Sequence, residues 1–107
     1  MGEENKKFQE IQILEQNFQG LFYQKQAFQM EVSETKAALK ELENSGDETF
    51  KIVGQLMLKT DKGRIKKELL DKEKILDNRI EGIEKQEKEL MEKLDNLKKE
   101  VENTKKN

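Results

Sequence analysis

The residues that could do chemistry in this sequence are carboxylates, amines and amides, because the chain contains no histidine and no cysteine. The commonest general base is therefore missing, and thiolate or imidazole metal sites are excluded. No motif places a nucleophile beside a base, and the sequence has no glycine-rich phosphate-binding loop. The residue types therefore indicate neither an enzyme nor a cofactor-binding protein.

Four polar residues lie where an otherwise apolar heptad repeat would continue, and they are Lys25, Thr35, Glu73 and Glu87. Polar residues in a helical seam can fix the register of two helices at a cost in stability. A catalytic role is the alternative, but none of the four belongs to a recognisable catalytic motif. The structural role is the better interpretation of these residues.

Apolar residues recur with heptad spacing along two separate stretches of the chain. Each stretch has ten seam positions, of which eight are apolar, although only 33% of all residues are hydrophobic. The first seam consists of Ile11, Leu14, Phe18, Leu21, Lys25, Phe28, Val32, Thr35, Leu39 and Leu42. The second consists of Leu69, Glu73, Leu76, Ile80, Ile83, Glu87, Leu90, Leu94, Leu97 and Val101. The spacing predicts an all-α-dominated fold, in which two long amphipathic helices form an antiparallel coiled coil.

Breaks in the repeat indicate where the helices end. Gly46 follows the first seam and suits the left-handed residue that often closes a helix. Thr60 or Asp61 suits the N-cap of the second helix. We predict a single domain over residues 1–107, with a first helix at about 6–44, a hairpin linker at 45–61 and a second helix at about 62–103.

The segment between the helices, residues 49–60, is rich in β-branched and large apolar residues and has Gly54-Gln55 at its centre. Glycine at the first central position favours a two-residue type II′ hairpin turn. Such a turn would pair Val53 with Leu56, Ile52 with Met57, Lys51 with Leu58 and Phe50 with Lys59.

The two seams can be matched by residue number. In an antiparallel pair, the number of one residue rises along the pair as that of its partner falls, so the two numbers in each layer have a constant sum. That sum is 108 for the pairs Ile11–Leu97, Leu14–Leu94, Phe18–Leu90, Phe28–Ile80, Val32–Leu76 and Leu39–Leu69. It centres the fold on Gly54, where the turn is independently predicted. The same register puts Thr35 in a layer with Glu73 and places Lys25 one layer from Glu87.

The predicted hairpin is apolar on both faces. One face carries Phe50, Ile52 and Met57, and the other carries Val53, Leu56 and Leu58. An isolated two-stranded hairpin is marginal in water and has two open edges, so pairing with hairpins of other chains in a larger sheet or barrel is favoured. The alternative is that the hairpin folds down onto the helix ends near Leu42 and Ile65.

Three groups of residues, in order around the hairpin, match a known family. They are Gln24-Lys25-Gln26 with Ala38-Leu39-Lys40-Glu41-Leu42-Glu43, then Phe50-Lys51-Ile52-Val53-Gly54 with Leu58-Lys59-Thr60-Asp61, and finally Arg79-Ile80 with Ile83-Glu84-Lys85-Gln86-Glu87. In these residues and their spacing the chain resembles the β-type subunits of prefoldin, especially the archaeal ones, over nearly its whole length. A single hairpin also fits the β type.

The resemblance implies an ATP-independent co-chaperone that needs no cofactor. It implies a hexamer of two α-type and four β-type subunits, whose hairpins form a β-barrel platform from which the coiled coils extend. The distal ends would hold unfolded polypeptide and pass it to a group II chaperonin.

Apolar residues near the two chain ends are the candidates for contact with unfolded polypeptide. Seam residues there would be only partly covered as the helices fray, whereas Phe22 and Met91 are either a contact surface or scattered surface hydrophobics. The predicted client-binding residues are Phe8, Ile11, Leu14, Phe18, Phe22, Leu90, Met91, Leu94, Leu97 and Val101. The predicted subunit-interface residues are Phe50, Ile52, Val53, Leu56, Met57 and Leu58.

Composition sets the remaining expectations. A net charge of −2 with interspersed charges argues against a nucleic-acid surface, and no apolar run is long enough to span a membrane. The first residues lack the charge and the apolar run of a signal peptide, so a cytoplasmic protein is expected. A structural coiled-coil adaptor is the alternative function, but an adaptor has no evident need for a linker that is apolar on both faces.

Overall fold

The computed structural model describes residues 2–46, 48–53 and 55–106 of the chain. Its elements, in chain order, are helix α1 (Gly2–Asn44), strand β1 (Glu48–Val53), strand β2 (Leu56–Asp61) and helix α2 (Lys62–Lys106). The predicted fold class, two long helices with a two-stranded antiparallel hairpin between them, is therefore confirmed.

The inner ends of both helices lie at the residues expected from the sequence, but the outer ends do not. Helix α1 begins at Gly2 rather than near residue 6, and α2 continues to Lys106 rather than ending near residue 103. Glu3 and Glu4 occupy the first turn of α1, where carboxylates interact favourably with the helix dipole. This interaction favours the earlier start of α1.

Helix α1 is closed by Ser45 and not by a left-handed glycine. The Ser45 backbone N–H donates to the Leu42 carbonyl oxygen at 3.3 Å, and the Ser45 hydroxyl donates to the same oxygen at 2.8 Å. The left-handed conformation predicted for Gly46 is wrong, since its φ lies outside that region. These two hydrogen bonds satisfy a carbonyl left open at the helix end, so no left-handed residue is required.

Strands β1 and β2 pair in the register that the two-residue turn predicts. Val53 lies opposite Leu56, Ile52 opposite Met57, Lys51 opposite Leu58 and Phe50 opposite Lys59. Gly54 lies outside the described residues, so the type of turn stays a prediction. At the base of the hairpin, Thr49 is buried and its hydroxyl donates to the Thr60 carbonyl oxygen at 2.6 Å.

The heptad seams are the buried stripes of the two helices. All twenty predicted seam positions are buried or half-buried. Among the four polar seam residues, Thr35 is buried, and its hydroxyl donates to the Glu31 carbonyl oxygen at 2.7 Å on the same helix. Thr35 therefore satisfies its hydrogen-bonding group without a partner on the other helix.

Contacts divide the chain into two compact units. The terminal unit comprises the described residues up to 27 and from 80 onward, and the hairpin unit comprises the described residues of 28–79. In the terminal unit, Ile11, Leu94 and Val101 form a buried cluster against which Leu14 and Leu97 pack. This cluster contains both members of the predicted pairs Ile11–Leu97 and Leu14–Leu94.

Candidate functional site

A shallow groove on one side of the terminal unit gathers apolar side chains from both helices. We call it the side groove, and its lining residues are Phe18, Phe22, Lys25, Glu84, Glu87, Lys88, Met91 and Glu92. Phe18 is a half-buried seam residue, whereas Phe22 and Met91 are 40% and 45% exposed. The structure thus brings together three predicted client-binding residues, Phe18 and Phe22 from α1 and Met91 from α2.

Heptad geometry explains why Phe22 and Met91 meet on the same side. Each follows a seam leucine by one residue, and in an antiparallel pair these positions face one another across one flank of the seam. Glu15 and Lys98 also follow seam leucines by one residue, and Lys98 Nζ lies 3.6 Å from Glu15 Oε1. This ion pair shows that the positions one residue after the seam leucines of α1 face the corresponding positions of α2. Phe22 and Met91 occupy two of these positions.

Lys25 and Glu87 form an ion pair across the seam at the edge of the side groove. Lys25 Nζ donates to Glu87 Oε1 at 2.8 Å, and the two side chains are only 20% and 10% exposed. Lys25 Nζ also lies 5.8 Å from the centre of the Phe22 ring, within cation–π range. The predicted pairing of Lys25 with Glu87 is confirmed. The contact between Lys25 and the Phe22 ring was not predicted from the sequence.

The other side of the terminal unit is lined by amides instead of apolar groups. A depression there is bordered by Gln16, Asn17, Gly20, Leu21, Gln24 and Gln86. Asn17, Gln24 and Gln86 each precede a seam residue by one position, so they lie on the flank opposite to Phe22 and Met91. At the level of the side groove, the terminal unit therefore has apolar side chains on one flank and amides on the other.

Near the outer ends of the helices, seam residues are better covered than expected. Ile11 and Val101 are buried, so the expectation of partial exposure is wrong for these two residues. The physical reason is that α1 and α2 extend beyond them to Gly2 and Lys106, which keeps both seam positions away from the helix ends. Leu94 is buried as well, while Phe8 is exposed.

The remaining predicted client-binding residues lie between these extremes. Leu14, Leu90 and Leu97 are half-buried seam residues. Off the seam, Phe8, Phe22 and Met91 are the predicted residues that present apolar surface to solvent. The candidate contact surface is consequently the apolar flank beside the seam rather than the seam itself.

The hairpin presents apolar side chains on both faces. Phe50, Ile52, Leu56, Met57 and Leu58 are all between 50% and 69% exposed. The side chain of Val53 lies outside the described part of the chain. Folding of the hairpin onto the helix ends would have covered one of its faces, whereas large apolar side chains of both faces are at least half exposed.

A groove at the root of the hairpin carries polar contacts as well as apolar surface. It is lined by Ala38, Glu41, Leu42, Ser45, Thr49, Phe50, Lys51, Ile65, Glu68 and Leu69. Lys51 Nζ lies 3.3 Å from Glu68 Oε2, and Lys62 Nζ donates to the Ser45 carbonyl oxygen at 2.9 Å. These contacts join the hairpin and the end of α1 to the first turns of α2.

Metal-binding clusters and membrane-spanning helices are both absent from the described ranges 2–46, 48–53 and 55–106. Within them, no group of three or more acidic side chains is placed to hold a metal ion. Neither helix, over those residues, has the length of apolar sequence needed to cross a membrane.

Comparison with known proteins identifies relatives with this architecture. A family model described as prefoldin subunit matches residues 5–107. The prefoldin subunit beta of Thermococcus onnurineus is 40% identical over 90 residues, which cover 82% of this chain and 78% of the relative. The prefoldin subunit beta of Sulfurisphaera tokodaii is 37% identical over 93 residues, covering 85% of this chain and 74% of the relative.

A solved structure agrees with these sequence relationships. The crystal structure of the prefoldin beta subunit from Thermococcus strain KS-1 superimposes with a TM-score of 0.91 at 33% identity. The match covers 97% of this chain and 93% of the other. The resemblance drawn from residue groups in the sequence is therefore confirmed.

Proposed function

The chain belongs to the prefoldin family, as a subunit of the β type, and on that premise we propose that it holds unfolded polypeptide without ATP and passes it to a group II chaperonin. Family membership makes it a chaperone subunit of a multi-subunit complex. What we propose beyond this is that the subunit holds unfolded polypeptide without ATP and delivers it to a group II chaperonin.

One observation supports the holding function most directly: Phe8, Phe22 and Met91 remain exposed beside a seam that is already buried. An unfolded chain that covers such side chains gains about 25 cal/mol per Å² of apolar surface removed from water. Apolar contacts of this kind need no particular sequence in the client. They also need no nucleotide for release, because each contact is individually weak.

Several arms are needed to make weak contacts useful. We propose that this chain assembles with copies of itself and with α-type subunits into a hexamer of two α-type and four β-type chains. The hairpin supports this assembly, since its exposed apolar faces gain cover when hairpins of neighbouring subunits pair. Arms held on one platform raise the effective concentration of each contact for a client already bound to another arm.

The proposed client-binding surface includes the ten residues predicted from the sequence, with different roles. Phe8, Phe22 and Met91 would contact the client directly. The half-buried residues Phe18, Leu14, Leu90 and Leu97 would supply the floor, and the buried residues Ile11, Leu94 and Val101 would hold the helices together beneath it. A cytoplasmic location, where unfolded chains and a group II chaperonin meet, is part of the proposal.

Suppression of aggregation tests this function. We expect the complex of this chain with an α-type partner to reduce light scattering by a chemically denatured protein, with no change on addition of nucleotide. Subsequent addition of a group II chaperonin and ATP should then recover folded client. A structural adaptor, the alternative function, would leave scattering at the level given by an equal mass of an unrelated coiled coil, and that result would refute the proposal.

A further inference from the structure

We propose that the side groove is a seat for one aromatic or long aliphatic client side chain whose neighbours in the client sequence are lysine or arginine. The inference rests on the proposed holding function and adds a preference to it. The short apolar walls of the groove select the large side chain, and the carboxylates at its rim select the basic neighbours.

The walls of the groove suit a single large apolar side chain. Phe18 is half-buried at its floor, and Phe22 and Met91 flank that floor from the two helices. The part of α1 that lines the groove runs from Phe18 to Lys25, which is about 10 Å at 1.5 Å per residue. An extended client rises about 3.3 Å per residue, so about three residues span the groove, and because side chains alternate, the middle one can point into it while its two neighbours point away. The thioether of Met91 can adapt to different shapes.

The charges at the rim favour a basic client segment. Glu87 already lies 2.8 Å from Lys25, so these two charges offset each other. The other charged residues lining the groove are Glu84, Lys88 and Glu92, which leaves one negative charge in excess. A client lysine or arginine beside the inserted side chain would meet these carboxylates, whereas a client glutamate or aspartate would be repelled.

The opposite flank shows why the preference belongs to this groove. Gln16, Asn17, Gln24 and Gln86 border the depression there, and amide groups lose hydrogen bonds to water when an apolar side chain covers them. An apolar client residue should therefore select the flank of Phe22 and Met91. Ile13, which is exposed on the same unit but does not line the groove, provides a matched control.

Short labelled peptides test the two parts of the preference separately. The probes are flexible Gly/Ser peptides with a central phenylalanine flanked by lysine, serine or glutamate, and a lysine-flanked peptide with alanine at the centre. Binding to the full chain, assembled with its α-type partner, is measured by fluorescence anisotropy. We expect affinity to fall from the lysine-flanked to the serine-flanked to the glutamate-flanked peptide, with the alanine peptide weakest at equal charge.

Variants then assign the effects to residues. Phe22→Gln with Met91→Gln should weaken the phenylalanine peptides by about tenfold, and Ile13→Gln should not. Glu84→Gln with Glu92→Gln leaves Lys88 as the uncompensated charge of the groove, so it should abolish or reverse the preference for lysine over serine flanks while keeping the dependence on phenylalanine. Glu81→Gln with Glu89→Gln removes two carboxylates from the same helix outside the groove and should preserve that preference.

A second readout reports how close the bound peptide lies to the groove. Because the chain contains no cysteine, Met91→Cys introduces a single thiol at the groove. A lysine-flanked peptide carries beside its phenylalanine a cysteine activated as a mixed disulfide with thionitrobenzoate. The thiolate of the variant should displace thionitrobenzoate and form the protein–peptide disulfide faster at Met91→Cys than at Ile13→Cys. Equal rates, or unchanged peptide binding by the Phe22 and Met91 double variant, would overturn the inference. If aggregation is still suppressed, the holding function survives that failure.

Discussion

Leu58→Asp should dissociate the assembled complex into smaller species while both helices remain folded. Leu58 is half exposed on a hairpin whose other large apolar side chains are also exposed, and it lies opposite Lys51 in the strand register. A carboxylate at this position would have to be desolvated when neighbouring hairpins cover it, and Lys51, the cation across the strand pair, is already paired with Glu68. Sedimentation velocity of the mixture with an α-type partner measures assembly, and circular dichroism measures helix content.

Met30→Asp is the matched control for the hairpin substitution. Met30 is as exposed as the hairpin residues but lies on α1, so the same introduced charge should leave the sedimentation profile unchanged. If Leu58→Asp also sediments as the full complex, the hairpin is not the assembly element. Loss of assembly in both variants would point instead to a general effect of added negative charge.

Lys25→Leu should destabilise the protein, and adding Glu87→Leu should restore or exceed the original stability. Glu87 is buried, and its carboxylate accepts a hydrogen bond from Lys25 at 2.8 Å. Removing Lys25 alone leaves this carboxylate poorly solvated, which should cost about 2 kcal/mol of the free energy of unfolding. Replacing both residues completes the apolar seam, which is often neutral or stabilising. Urea unfolding followed by circular dichroism measures each variant.

The exposed ion pair between Glu15 and Lys98 is the comparison for this experiment. Both of its side chains are more than half exposed, so Glu15→Gln should change the free energy of unfolding by less than about 1 kcal/mol. A loss on Lys25→Leu no larger than that on Glu15→Gln would show that burial of Glu87 carries no penalty. A double variant no more stable than Lys25→Leu alone would show instead that the seam cannot accept two leucines.

The features that followed from the sequence are those governed by periodicity. Twenty seam positions could be assigned because residues that recur every three or four positions all lie on the same face of a helix. The strand register followed because a two-residue turn at Gly54-Gln55 leaves no freedom in which residues pair. Lys25 and Glu87 could be placed together because the constant layer sum puts them one layer apart.

Features that depend on where each helix ends, or on which side chains the second helix covers, could not be predicted from the sequence. Burial of Ile11 and Val101 depends on how far each helix continues past them, and a heptad pattern does not set that limit. Closure of α1 by Ser45 replaced the expected left-handed Gly46 because a serine hydroxyl can satisfy the same carbonyl. The side groove was missed as a unit because Phe22, Met91 and the rim carboxylates meet only once helix pairing is fixed.

The strand register also has a consequence for the order in which the chain folds. Val53 and Leu56 are three residues apart, whereas Ile11 and Leu97, which pack in one cluster, are separated by most of the chain. Closing a short loop costs less entropy than closing a long one, and each closed layer shortens the loop for the next. Pairing should therefore start at the strands and proceed outward, so that pulsed hydrogen exchange protects strand amides before those near Val101. The proposed subunit interface would then form before the proposed client-binding surface.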